Sequence, residues 1–324
     1  MKAVFVDGTK YDRSLIETET INKPEGFVCF SDAPAGQEEL LDRIQDAEAI
    51  ALGRTKIEST TLRQCKNLRL ISFLGIGAGT YLDIDEATRL GILVANTPNY
   101  GVNTVAEHTL ALLLAAARNL ILFDRKIRTG DWEYGIEGIE LRGKVLGILG
   151  LGGVGKCMAR IGRALEMHVL CWTRTPDPGR AKDHGVVFVG LDELLSWSDF
   201  ITIHLAFTEE TRRLIGRREF ALMRRNAILV NTSRGEILDT DSLVEALKEK
   251  RIRAAGIDVF DREPLENTHP LFDCDNVTLT PHVAWNTHEA SVNIIRIGLN
   301  NIIEFQHGRV TNALNPVIAP QSQT

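Results

Sequence analysis

Three residues in the second half of the sequence carry side chains suited to one piece of chemistry. Arg234 lies in VNTSRGEI, Glu263 in DVFDREP and His282 in LTPHVAW, each at or just past the end of a short apolar run. A histidine whose ring is held by a carboxylate keeps one tautomer, which suits a group that must carry a single proton near neutral pH. A guanidinium grips a carboxylate through two parallel hydrogen bonds. Taken singly, each has an ordinary reading: the arginine is solvated, and the histidine is a hydrogen-bonding core residue. Their common position at strand ends is what joins them, because ligands of open α/β sheets bind beyond the carboxyl ends of the strands.

The elements that must place them are legible as alternating patterns. Apolar runs at 145–150, 168–172, 200–205, 227–232, 255–260 and 277–282 are separated by helical spacers, which predicts six parallel strands joined by right-handed crossovers. A second set at 3–6, 27–30, 49–52, 68–75 and 92–96 predicts another α/β lobe. Between the sets, 103–120 reads as one long buried helix, with Thr104 and Glu107 at capping-box spacing. After His282 one more helical pattern returns the chain to the first lobe. The expected division is 1–100 plus 286–324 for a substrate-binding domain and 101–285 for a dinucleotide-binding domain, in keeping with 324 residues.

The run VLGILGLGGVGK explains why a dinucleotide is expected. Gly150, Gly152 and Gly155 have GxGxxG spacing between a strand and a helix: the first for a tight turn, the second for close approach of a pyrophosphate, the third for helix against strand. The spacing alone is a weak signal; the strand before and helix after give it weight. The second strand of such a domain ordinarily ends in an acidic residue for the adenosine ribose. Here Thr173, Arg174 and Thr175 stand in that place, and an arginine with two hydroxyls suits a 2′-phosphate, so NADP is favoured over NAD. Asp177 could reach back to a ribose, although Pro176 and Pro178 restrict its loop.

Composition narrows the class. A net charge of −6 without a basic block argues against a nucleic-acid partner, and no apolar run has the length of a membrane span. The start, MKAVFVDGTKYD, meets Asp7 before any signal-like stretch develops. Five scattered cysteines (Cys29, Cys65, Cys157, Cys171 and Cys274) with no CxxC pair suggest neither disulfides nor a metal site, and fit a cytoplasmic, reducing setting.

With these residues in place, the sequence resembles the D-isomer-specific 2-hydroxyacid dehydrogenase family, which includes glycerate dehydrogenase, glyoxylate and hydroxypyruvate reductases and phosphoglycerate dehydrogenases. VANTPNYGVNTVAEHTLALLLAAARN, LRGKVLGILGLGGVGK, DFITIHLAFTEETRRLIG, NAILVNTSRGEILDTDSLVEAL, AAGIDVFDREPL and LTPHVAWNTHEA follow its patterns in order. The resemblance implies a doubly wound parallel-sheet Rossmann domain beside a flavodoxin-like substrate domain, and hydride transfer between a nicotinamide and a small 2-oxo or D-2-hydroxy acid. It implies that Arg234 binds the substrate, that His282 is the general acid/base and that Glu263 orients it. It further implies that Gly153 and Val154 meet the pyrophosphate, Thr173 and Arg174 the ribose, Thr232 and Ser233 the cofactor near Arg234, and Asp258 the nicotinamide. Gly150, Gly152, Gly155, Thr175, His204, His282 and Ala284 complete the expected cofactor set, and amides at Gly77 and Ala78 would hold the substrate carboxylate. A homodimer built around the 103–120 region is also implied.

The sequence departs from the family in places. Thr173 replaces the usual acid, Ala206 a common proline, and the first-lobe loop reads GIGAGTYLD. Leu52 stands where a second basic group for a substrate phosphate would be expected, so an unphosphorylated acid such as hydroxypyruvate or glyoxylate is favoured. Trp285, in PHVAW, reads equally as a border to the substrate or as an interface or core residue. Two alternatives remain open: an NAD-dependent D-2-hydroxyacid or phosphoglycerate dehydrogenase, and a nucleotide-sensing, corepressor-like binding protein.

Overall fold

The chain folds as two units, Met1–Gly101 with the segment from Thr287 onward, and Val102–Asn286. The computed structural model describes residues 1–316. No single helix among them is long and apolar enough to cross a membrane.

The first unit holds a five-stranded parallel sheet of β1 (Ala3–Phe5), β2 (Phe27–Cys29), β3 (Ala49–Leu52), β4 (Leu70–Phe73) and β5 (Leu93–Ala95), ordered β2-β1-β3-β4-β5. That 2-1-3-4-5 order is the flavodoxin-like one. Central strands are buried end to end, which is why AIAL and LISF read as unbroken apolar runs. The returning helix His288–Gln306 packs on this sheet through Val292, Ile295, Leu299 and Ile302. Polar groups fix its register: Ser72 donates to the Gly298 carbonyl at 2.8 Å, and Asn301 donates to the Asn96 carbonyl at 2.9 Å. Buried polar groups satisfied in this way admit few alternative placements.

The second unit is a seven-stranded parallel sheet: β6 (Val145–Leu149), β7 (His168–Trp172), β8 (Val187–Phe188), β9 (Phe200–Ile203), β10 (Ile228–Asn231), β11 (Ala254–Ile257) and β12 (Val277–Leu279). The order β12-β11-β10-β9-β6-β7-β8 is the doubly wound 3-2-1-4-5-6 arrangement extended by one strand. Six strands were expected; β8 is the seventh, an edge strand of two residues, too short to leave a periodic signature. The strands also stop sooner than their apolar runs, at Ile203, Asn231, Ile257 and Leu279. Residues beyond these points are spent on loops that turn across the carboxyl edge.

The helix expected over 103–120 runs from Val102 to Ala117. It starts early enough to put Thr104 in its first turn rather than at its cap. Asn119, at φ 54°, ends it, and a second helix, Leu120–Arg128, departs at 61°. Ala106, Thr109, Leu113, Ala116 and Ala117 recur at helical spacing along its buried face. Gly256 on β11 gives this helix room, since a Cβ there would sit 2.9 Å from the Leu112 Cβ. Four of the five cysteines are buried, as small apolar core residues are, and burial pushes the Cys171 thiol up to about 12.

Candidate active site

The glycine turn between β6 and helix Gly153–Ala164 separates three physical demands. Gly150 has φ +98°, and a Cβ there would lie 2.5 Å from the His204 carbonyl oxygen, so it is required by conformation and by contact. A Cβ on Gly155 would meet the Gly150 carbonyl oxygen at 2.0 Å, which makes it the point where helix rests on strand. Gly152 has nothing within 4 Å. No protein atom requires a glycine there, and the open space would admit close approach of a pyrophosphate. Gly152 caps the helix without a side-chain bond, and the amides of Gly153, Val154 and Gly155 are first-turn donors with no partner within the helix.

Beyond β7, Thr173 is half-buried and Arg174 and Thr175 are exposed. Arg174 pairs with Glu210 at 3.5 Å with both side chains mostly in solvent, a contact weak enough to be exchanged for a better anion. Asp177 caps helix Pro178–His184 by accepting from the Arg180 N–H at 2.8 Å, which occupies one of its carboxylate oxygens. Arg180, not singled out from the sequence, donates to the Thr175 carbonyl at 3.0 Å and the Leu151 carbonyl at 2.8 Å. It ties the ribose loop to the glycine turn. The site therefore fits a dinucleotide, and the carboxylate next to the ribose position, that of Asp177, has one oxygen held by a helix cap.

His204, at the tip of β9, is held down to about 3 by burial, and its Nε2 has no hydrogen-bond partner among the described residues. A ring held neutral in this way is unsuited to proton donation near neutral pH.

At the tip of β10, Asn231 organises the turn that presents Arg234. Its amide donates to the Arg234 carbonyl at 2.8 Å while its oxygen accepts from the Ser233 N–H at 3.0 Å. Thr232 is buried against Thr109, with their hydroxyl oxygens 2.8 Å apart. The Ser233 hydroxyl is within 3.1 Å of the Ile203 carbonyl. Arg234 is half-buried and turns one guanidinium nitrogen onto the Ser233 carbonyl at 2.6 Å. Among the described residues it forms no ion pair, so its other N–H groups remain available to an anion. Gly235 brings this turn against the end of β11: a Cβ there would lie 1.9 Å from the Phe260 carbonyl carbon.

Asp258, fully buried just past β11, holds the loop that carries His282. Its carboxylate accepts from Thr280 Oγ1 at 2.6 Å, Val283 N–H at 2.9 Å and Ala284 N–H at 2.9 Å. These take three of its roughly four acceptor positions. The His282 N–H donates to the Asp258 carbonyl at 2.7 Å, and the residue is locked at φ 54°, a left-handed conformation rare outside glycine. Its ring Nδ1 lies 2.8 Å from Glu263 Oε2, while Glu263 Oε1 accepts from the Phe260 N–H at 3.0 Å. With Nδ1 committed to the carboxylate, Nε2 is the atom left to exchange a proton with a substrate. Trp285 donates its indole N–H to the His282 carbonyl at 3.0 Å, bracing the same loop.

In the first unit, Gly77 and Ala78 form the start of a short 3₁₀ turn, and neither amide N–H has an acceptor among the described residues. Asp7 accepts from the N–H groups of Gly53 (2.8 Å), Arg54 (2.6 Å) and Thr55 (2.7 Å), fixing the loop that displays Arg54. Neither Asp7, Asn231 nor Arg180 was foreseen, because each acts on backbone far away in sequence or through a loop conformation that no periodicity encodes. Among the described residues no cluster of His, Cys, Asp and Glu could hold a metal ion.

A doubly wound sheet with an open glycine turn, an arginine without an ion-pair partner among the described residues and a carboxylate-held histidine at its carboxyl edge defines a dinucleotide-dependent oxidoreductase. Residues 110–284 match the family described as D-isomer specific 2-hydroxyacid dehydrogenase, NAD binding domain, and the chain belongs to that family. It is 41% identical to a glyoxylate reductase of Aeropyrum pernix over 86% of this chain and 85% of that one. It is likewise 41% identical, over 88% of its length, to a D-3-phosphoglycerate dehydrogenase of Archaeoglobus fulgidus, of which the match spans 54%. Among solved structures it resembles an acyclic imino acid reductase in complex with NADPH and D-Arg, at 26% identity and a TM-score of 0.83, over 97% of this chain and all of that one. The cofactor is a nicotinamide dinucleotide.

Proposed function

We propose that the protein reduces a small unphosphorylated 2-oxo acid, glyoxylate or hydroxypyruvate, to its D-2-hydroxy acid with NADPH. The observation that carries this reading is the half-buried Arg234, without a carboxylate partner among the described residues, in a turn pinned against the loop whose Glu263 holds His282. When bound, the reduced nicotinamide supplies the hydride for the carbonyl carbon. Arg234 grips the substrate carboxylate and carbonyl, and His282 Nε2 delivers the proton to the carbonyl oxygen. Glu263 keeps the imidazole in the orientation that points Nε2 outward and stabilises the imidazolium that precedes transfer. Helix Gly153–Ala164 holds the pyrophosphate with its first amides. Thr173, Arg174 and Thr175 receive the 2′-phosphate, and Ser233, Thr232, Ala284 and the fourth acceptor position of Asp258 line the nicotinamide end. Leu52, fully buried, offers nothing to a substrate phosphate, which favours glyoxylate or hydroxypyruvate over a phosphoglycerate-type acid.

The test is loss of reduced-nicotinamide absorbance with a panel of 2-oxo acids, each offered with NADPH and NADH. Glyoxylate or hydroxypyruvate with NADPH is expected to give the highest kcat/KM. Consumption of no 2-oxo acid with either cofactor would reject the reading in favour of a nucleotide-sensing role.

A homodimer in a reducing, cytoplasmic setting completes the proposal. Its support is the arm after the bend: helix Leu120–Arg128 buries none of its residues, and Trp132 and Tyr134 are 79% and 88% exposed. Aromatic residues exposed together on one segment are what an interface requires.

A further inference from the structure

We propose that His108 is a positioning residue for the reaction, acting as the outermost donor of a directed hydrogen-bond chain that ends on the loop of His282. The proposal rests on the reading of His282 as the proton donor. His108 projects from helix Val102–Ala117, and its Nε2 lies 3.1 Å from Thr280 Oγ1 and 3.6 Å from Asp258 Oδ1. The direction of the chain follows from proton counting. A hydroxyl has one proton, and an ionised carboxylate can only accept. Thr280 Oγ1 lies 2.6 Å from Asp258 Oδ1, which also accepts from the Val283 N–H, so the threonine proton is spent on Asp258. Toward His108 the threonine oxygen can then only accept, and Nε2 of His108 must carry the proton.

The consequence reaches the reacting histidine through backbone alone. Asp258 gathers Thr280, Val283 and Ala284 around the left-handed His282, and a donor behind Thr280 polarises that hydroxyl and strengthens its bond to the carboxylate. His108 thereby connects the helix Val102–Ala117 to the geometry of a loop 172 residues away in sequence. Its part is to keep the 280–284 loop in the one arrangement that aims His282, without touching substrate or cofactor.

Two measurements on the full-length protein test this. Long-range ¹H–¹⁵N NMR on histidine-labelled protein is expected to show His108 protonated at Nε2; a bare Nε2 would overturn the proposal. In kinetics, His108→Phe is expected to lower kcat about tenfold, the loss of one hydrogen bond near a charge, with dinucleotide affinity unchanged. His108→Gln, which restores an N–H donor, is expected to recover most of that loss. Wild-type kcat in the Phe variant, or no recovery in the Gln variant, would overturn the positioning role while leaving the proposed activity intact. If the unmodified protein reduces no 2-oxo acid, the proposed activity falls and the NMR result alone decides the direction of the chain.

Discussion

Arg174 and His204 show how residue-scale chemistry divides between binding and stability. Arg174 is exposed and among the described residues pairs with Glu210 alone, so removing it costs the fold little, whereas a 2′-phosphate would lose a charge-assisted partner. Arg174→Ala is expected to weaken NADPH binding by about 10- to 100-fold with NADH nearly unaffected, read by fluorescence titration. Equal effects on the two cofactors would reject the phosphate role. His204 belongs to stability instead. Its imidazole falls from an ordinary 6.5 to about 3 through burial, so below 6.5 the unfolded chain binds a proton that the folded one refuses. That stabilisation is complete above pH 6.5 and is lost as pH falls toward 3. His204→Leu is therefore expected to flatten the decline in unfolding free energy between pH 6.5 and 5, measured by urea titration; an unchanged slope would contradict the assignment. The sequence disclosed Arg174 and His282 because their types are chemically conspicuous. It could not disclose that Asp177 caps a helix or that Asp258 holds a loop, since those roles follow from which N–H groups surround a carboxylate.

At the scale of elements, the glycine turn separates side chains excluded by the fold from one excluded for a ligand. An alanine at Gly155 would press on the Gly150 carbonyl oxygen at 2.0 Å, while one at Gly152 would meet nothing within 4 Å. Gly155→Ala is expected to destabilise the protein by about 1–3 kcal/mol through overpacking. Gly152→Ala is expected to leave stability within about 0.5 kcal/mol, as an exposed position should, and yet to weaken dinucleotide binding. Denaturant titration beside cofactor titration checks both, and the reverse pattern would remove the turn from the site. Alternation of strands and helices was legible because parallel strands buried on both faces must be apolar throughout. The strand ends were less so. The runs at 200–205, 227–232, 255–260 and 277–282 continue for one to three residues past the strand ends, where Leu205, Thr232, Val259 and Phe260 pack as loop. Local composition does not distinguish a buried loop residue from a strand residue.

For the whole molecule, the arm from Leu120 to Tyr134 carries exposed Leu120, Ile127, Trp132 and Tyr134, an apolar surface that a lone chain in water leaves uncompensated. Light scattering coupled to gel filtration is expected to give twice the chain mass, and Trp132→Asp with Tyr134→Asp to shift it toward a single chain; a monomeric wild type would reject the dimer. The bend at Asn119 that creates this arm was missed because the apolar pattern of 103–120 continues through it, and a single residue at positive φ leaves no periodic trace. The central claim, that His282 supplies the proton in reduction of a 2-oxo acid, is tested most directly by His282→Ala assayed with glyoxylate and NADPH beside a cofactor titration. The expected result is a fall in kcat of about 10²- to 10⁴-fold with NADPH affinity retained. A variant that turns over at the wild-type rate would contradict it.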